Sequence, residues 1–206
     1  TSIVYRIISS LPITVRARLL DRVDWTVPLD YKKNIPLRVH SNWSYYRRKA
    51  CSKEPETIEW LERTLKQDDV FLDIGANVGA YSFVAASVMK RGTIICVEPS
   101  FSTYRTLCDN IFLMQSKLKG VTFIPFCCAL TDSVGTIEFN YSDISSGAAR
   151  HGESLSNLKL TIQALSVDKL INDFNIQSPT VIKIDVDGPE LAVIKGAAKA
   201  LLNREL

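Results

Sequence analysis

Histidine is scarce, cysteine is unpatterned and long apolar runs are missing, and each shortage removes a class of protein. The two histidines, His40 and His151, stand far apart, and none of the five cysteines (Cys51, Cys96, Cys108, Cys127 and Cys128) falls in a C-x-x-C or Cys/His cluster. A structural zinc site has no ligand spacing to rest on. The odd cysteine count, with apolar neighbours around Cys96, Cys127 and Cys128, reads as buried thiols in a reducing compartment rather than a disulfide framework, which points to a cytoplasmic location. The longest charge-free stretches, such as residues 120–131, stop well short of the roughly 18 apolar residues that a membrane span needs. Arg6 interrupts the first apolar stretch, Arg16 and Arg18 follow, and no small-residue cleavage signal appears, so a secretory signal peptide is a poor reading.

What is there is ordinary. With 46% hydrophobic and 23% charged residues over 206 positions, the chain suits one main α/β domain with an appendage. The net charge of +3 hides an asymmetry: residues 1–50 hold ten Lys or Arg against three Asp, and the remainder holds fifteen against nineteen acids. The basic end is explained by a solvated helix face and polar linker, or by a surface for anionic lipid or glycan; no nucleic-acid-binding motif accompanies it.

Hydrophobic periodicity divides the chain. Residues 10–22 open on Ser10 and Pro12 and repeat apolar side chains at Leu11, Val15 and Leu19, the pattern of one amphipathic helix. A basic helix there has the composition for peripheral membrane contact. Residues 25–52 show no sustained period and read as an irregular arm or short strands, with an aromatic-basic cluster of Trp43, Tyr45, Tyr46, Arg47 and Arg48. We therefore expect an N-terminal helix and arm over residues 1–52 and the main domain over residues 53–206. A helix over residues 55–66 would bury Ile58, Leu61 and Leu65. Strand and helix then alternate: strand 70–74, helix 80–89, strand 93–98, helix 102–114, strand 121–129. This rhythm predicts a mostly parallel sheet with helices on both faces. Antiparallel strands at 136–140 and 158–167 around a polar loop form a β insertion, and a short helix near 167–172, strand 180–185 and a helix over 189–202 follow.

The segment DIGANVG at 73–79 carries the first chemical signal. An acid ends an apolar strand, two glycines follow, and a helix begins, which is where open α/β sheets bind ligands. The place of the second glycine of a dinucleotide fingerprint is taken by Asn77, and no sequence ending in G-K-[S/T] exists for a triphosphate. Asp73 would repel a diphosphate, whereas S-adenosylmethionine carries no phosphate and presents an ammonium and a sulfonium. Glu98, at the end of the next strand, has the reach to accept both hydroxyls of a ribose.

Together FLDIGANVGAYS, CVEPS and VIKIDVDGPELAVIKGA resemble the successive motifs of FkbM-family S-adenosylmethionine-dependent methyltransferases, over residues 54–202. The resemblance implies a Rossmann-like class I methyltransferase fold and, most commonly, O-methylation of sugars or related hydroxyl-bearing natural products. It places Asp73, Gly75, Ala76, Asn77 and Gly79 around the methionine part of the cofactor, Glu98 on the ribose with Pro99 and Ser100 beside it, and Ala129 near the adenine. Asp185 and Val186 would face cofactor and substrate.

Read from the residues alone, Asp185, Asp187 and Glu190 crowd three carboxylates at a strand end, which favours a general base, although Asp187 and Glu190 also suit a helix start. We expect Asp185 as base or orienter, with Glu190 and His151 as alternatives; His151 also reads as a solvated loop residue. The spacing demands no metal, though carboxylates would accept a hard cation. Substrate choice is expected in the arm at 43–48 and the insertion at 142–154, whose aromatic and basic residues suit a sugar or an anionic glycan. The rival readings are a non-catalytic adenosylmethionine-binding scaffold and an NAD-dependent oxidoreductase. The chain opens on Thr1, which fits a trimmed start, and stops after four strands of the main sheet, where the family resemblance implies at least one more parallel strand, so its C-terminal strands are expected to be missing.

Overall fold

The computed structural model describes residues 3–22, 25–32, 34–140 and 159–202. Two helices, Ile3–Ser10 (α1) and Ile13–Arg22 (α2), precede an antiparallel pair, Thr26–Pro28 (β1) and Pro36–Arg38 (β2). Sequence periodicity anticipates α2 alone. Ser10 does not start it: the Ser10 hydroxyl donates to the Ile7 carbonyl at the end of α1, and Pro12, whose missing N–H is harmless there, leads into α2. Among the described residues no helix is long and apolar enough to cross a membrane.

The arm is more regular than its composition announces. Asn42–Tyr46 (α3) is started by a reciprocal cap between Ser41 and Ser44, a 3₁₀ turn spans Arg47–Lys49, and Ala50–Lys53 (α4) leads into Pro55–Thr64 (α5). The expected face of α5 is the observed one, with Ile58, Leu61 and Leu65 buried.

Beyond it the alternation builds the sheet: Val70–Ile74 (β3), Ala80–Met89 (α6), Gly92–Val97 (β4), Phe101–Gln115 (α7) and Val121–Phe126 (β5). All five residues of β3 are buried because both sheet faces are covered. Phe71 packs with α6 and α7, while Val70, Leu72 and Ile74 pack on the opposite side. The expected strand over 121–129 is broken. Pro125 sits on β5, which has no outer neighbour among the described strands and so loses nothing by lacking an N–H. After it Cys127 is exposed, contrary to the buried thiol expected there, and Ala129–Leu130 (β6) joins a second sheet.

That sheet orders β6 beside Lys159–Leu165 (β8), with Gly135–Asn140 (β7) antiparallel on its other side, so the β insertion has the expected hairpin-like pairing. Val167–Asp173 (α8), started by the Ser166 hydroxyl, leads to Val181–Ile184 (β9). The helix expected over 189–202 divides at Ala197 into Glu190–Gly196 (α9) and Ala198–Leu201 (α10).

The main sheet runs β5-β4-β3-β9 and is wholly parallel. Successive strands step outward from β3 in one direction, and β9 then returns to its other side. The order therefore reverses between β3 and β9, and their carboxyl ends open the crevice that this topology offers to a ligand. Leu29, Ile35 and Leu37 from the arm share a core with Phe71 and Phe83, which fixes the arm over that crevice.

Candidate active site at the strand switch point

The loop after β3 is shaped by where backbone must pass backbone. Gly75 has φ +77°, and a Cβ there would penetrate the Asp185 carbonyl oxygen at the end of β9. Glycine alone lets the two strand ends lie together. The N–H groups of Gly75 and Ala76 both donate to the Val97 carbonyl, at 2.9 and 3.0 Å, anchoring the loop to β4. Asn77 takes a left-handed turn (φ +52°), and its side-chain oxygen accepts the Val78 N–H at 3.0 Å, the local bond that lets asparagine hold such a conformation.

Glu98 closes the loop from below. Its two carboxylate oxygens accept the N–H groups of Asn77 and Ser100, each at 2.9 Å, and its side chain is buried. Burial pushes the carboxyl up to about 7 despite those two bonds and the nearby Arg47 charge, which favour ionisation; Asp73 adds to the rise. Each oxygen keeps a lone pair, so the group can still receive a vicinal diol.

Asp73 is positioned differently from the other loop residues. Its side chain is fully buried and points to α6, where the Ser82 hydroxyl donates to Oδ2 at 2.6 Å. The cation that meets Oδ1 is the protein's own Lys183, at 3.2 Å. Lys183 also donates to Asp185 Oδ2 at 3.3 Å and lies 4.9 Å from the centre of the Tyr81 ring. Burial works against the ammonium, yet the two facing carboxylates outweigh it and hold its pKa above the ordinary lysine value. Tyr81 in turn donates to Glu54 Oε2 at 2.8 Å, tying this cluster to the arm. Burial and the Glu54 carboxylate push the Tyr81 phenol up, so it remains a donor.

Above these groups lies a cavity of about 580 Å³. One wall is the loop (Gly75 to Val78), Glu98 to Ser100, and Asp185 to Asp187; the other is the arm, with Trp43, Tyr46, Arg47 and Lys49, and its continuation towards α5, Lys53 and Glu54. The structure thus brings together Gly75, Ala76, Asn77, Glu98, Pro99, Ser100, Asp185 and Val186. Asp73 and Gly79 support the wall without lining it; Gly79 (φ +93°) opens α6, and a Cβ there would strike the Phe83 ring. Ala129 pairs with Ala164 in the second sheet and is not among the lining residues. Glu190 is exposed in the first turn of α9, where its carboxylate accepts the Gly188 N–H at 3.2 Å. His151 and the insertion at 142–154 lie outside the described residues. Among the described residues no cluster of three or more His, Cys, Asp or Glu could hold a metal ion.

Lys183, Tyr81 and Glu54 escaped the motif reading. A lysine inside the apolar run VIKI was the available signal, since lysine is almost never buried without a partner.

A model of the methyltransferase FkbM domain matches residues 73–205. The hexuronic acid methyltransferase AglP of Haloferax volcanii is 30% identical over 163 residues, which are 79% of this chain and 64% of that protein. The methyltransferase FkbM of Methylobacillus flagellatus KT superposes with a TM-score of 0.46 at 15% identity, covering 74% of this chain and 46% of that one. The precorrin-6y C5,15-methyltransferase of Geobacter metallireducens GS-15 follows with a TM-score of 0.43 at 15% identity, over 72% and 56%. The chain thus spans under two thirds of the length of each of these relatives.

Proposed function

Because this chain belongs to the FkbM methyltransferase family, we propose that it is an S-adenosylmethionine-dependent O-methyltransferase acting on a hydroxyl of a sugar or glycan, with an acidic sugar as the acceptor class. The observation that carries the reading is the two-walled cavity, with Glu98 and the Gly75–Asn77 backbone on one side and a basic, aromatic arm on the other. Similarity to a hexuronic acid methyltransferase supports the acidic sugar.

The residues fit the cofactor. Glu98 would hold the ribose hydroxyls, its buried carboxylate being aligned by two backbone N–H groups. Gly75 leaves room for backbone to approach a ligand without a side chain between. When bound, S-adenosylmethionine supplies a methyl group on a sulfonium, open to displacement by an oxygen nucleophile. Asp185 has Oδ2 engaged by Lys183, and the described residues give Oδ1 no partner, so that oxygen orients the acceptor hydroxyl and takes its proton. Trp43 and Tyr46 offer faces for a sugar ring, and Arg47, Lys49 and Lys53 offer charge to a carboxylate. With its carboxylate spent on Gly188, Glu190 is the weaker candidate for base.

The test is calorimetric titration with S-adenosylhomocysteine and NAD, followed by tritiated methyl transfer onto glucuronic-acid-containing and uncharged oligosaccharides. We expect binding of S-adenosylhomocysteine only and transfer favouring the acidic acceptors. Binding of NAD instead would overturn the cofactor reading, and binding without transfer would leave a non-catalytic binder. Asp185→Asn should reduce transfer by about 100-fold, the lower end of the range for a general base, with S-adenosylhomocysteine affinity nearly unchanged. Full turnover in that variant would remove Asp185 from the chemistry.

A further inference from the structure

Lysine with its side chain buried on a strand is expensive. An unpaired ammonium in an apolar interior costs several kcal/mol, and the register of β9 turns Lys183 to the same side as the buried Val181. Its tolerance there is explained by three partners, one for each N–H: Asp73 Oδ1 from β3 at 3.2 Å, Asp185 Oδ2 beyond β9 at 3.3 Å, and the face of Tyr81 from α6. The two carboxylates are not equivalent. Asp73 is wholly buried with both oxygens engaged, whereas the Asp185 side chain is 55% exposed at the cavity with one oxygen engaged. Asp73 therefore anchors the ammonium, and the ammonium in turn holds Asp185.

We infer that Lys183 is a positioning residue for Asp185: pinned by Asp73 and Tyr81, it fixes the Asp185 carboxylate with Oδ1 turned to the acceptor, without itself touching cofactor or acceptor. The inference rests on the proposed role of Asp185. It also assigns Asp73 a task other than direct cofactor contact, because the positive charge its carboxylate meets is supplied from within the chain. The bond from Tyr81 to Glu54 extends the same linkage to the arm, so the wall facing the acceptor and the carboxylate meeting its hydroxyl are set by one connected group.

Lys183→Met alone would leave Asp73 buried and unpaired and endanger folding, so the informative variant is Asp73→Asn with Lys183→Met, which removes both buried charges together. Calorimetry should show S-adenosylhomocysteine bound within about threefold of wild type, well under the tenfold that 1.4 kcal/mol represents. A larger loss would make Lys183 part of the cofactor floor and overturn the inference. Methyl transfer to a glucuronic-acid-terminated disaccharide should lose about 100-fold in kcat, the scale of a 1 Å misplacement, with KM for the disaccharide little changed. The variant carrying all three substitutions should be no slower than Asp185→Asn alone, since residues acting through one group are non-additive. Unchanged kcat, or losses that simply add, would overturn the inference. Should wild-type protein transfer no methyl to that disaccharide, the proposed acceptor fails separately, and crystal structures of the S-adenosylhomocysteine complexes decide the present point. Displacement of the Asp185 carboxylate in the paired variant supports it; an unmoved carboxylate refutes it.

Discussion

Glu98 is a residue whose protonation changes near neutrality. Its folded pKa, raised to about 7 by burial, stands above the ordinary value of 4.5. In the window between these values folding favours the protonated carboxyl, so its contribution to stability is fully present below 4.5 and is lost as the pH rises through about 7. In the proposed complex the ligand would have the opposite preference, because ribose hydroxyls donate to the ionised form. S-adenosylhomocysteine affinity should therefore strengthen through neutrality while the melting temperature of the free protein declines. Glu98→Gln should flatten both profiles and weaken binding by about 1.5–3 kcal/mol, the scale of hydrogen bonds to a charged group, measured by calorimetry and thermal scans across the pH range. At this scale the sequence was half legible. Spacing after an apolar strand located Glu98 and Asp185, since a carboxylate at a strand end has few other reasons to be there. The partner of Asp73 was not legible, because Lys183 lies 110 positions away and only strand pairing makes them neighbours.

Among the elements, α7 does more than cover the sheet. Asn110, fully buried on it, accepts the Arg38 N–H from β2 at 2.6 Å and donates to the Val78 carbonyl at 2.9 Å. One side chain thus fastens the arm's β pair and the cavity loop to the same helix. Asn110→Ala would leave a half-buried donor and a buried acceptor without this partner and should cost about 2 kcal/mol, read as a lower urea midpoint at constant slope. It should also weaken S-adenosylhomocysteine binding, because Val78 lines the cavity. Periodicity read α5 well, for that helix has one buried side. Helix α6 is buried nearly all round and shows little amphipathic period; it was found by its place between two strands. The division of residues 121–130 between two sheets had no local signal, as an apolar run looks alike whichever sheet receives it.

For the whole molecule, strand alternation was enough to read a parallel sheet, while the arrangement of the arm over its carboxyl edge depended on Leu29, Ile35 and Leu37 entering the common core. Placing the arm there sets part of the N-terminal positive charge against the cavity, since Arg47 and Lys49, with Lys53 just beyond them, line the wall opposite the acidic strand ends. Both ligands in the proposed reaction would share the cavity between these walls. Glu98 is buried within it and Asp185 is half exposed, so a nucleoside held by the first lies deeper than an acceptor over the second. For the proposed reaction we therefore expect an ordered sequence, with cofactor arriving first and its demethylated product leaving last. Product-inhibition kinetics should show S-adenosylhomocysteine competing with S-adenosylmethionine but not with the sugar, and competition against both would contradict this order. If the proposed reaction runs in that order, the arm, as the wall opposite the cofactor loop, would slow escape of the spent nucleoside as well as face the sugar, and loosening it should speed release.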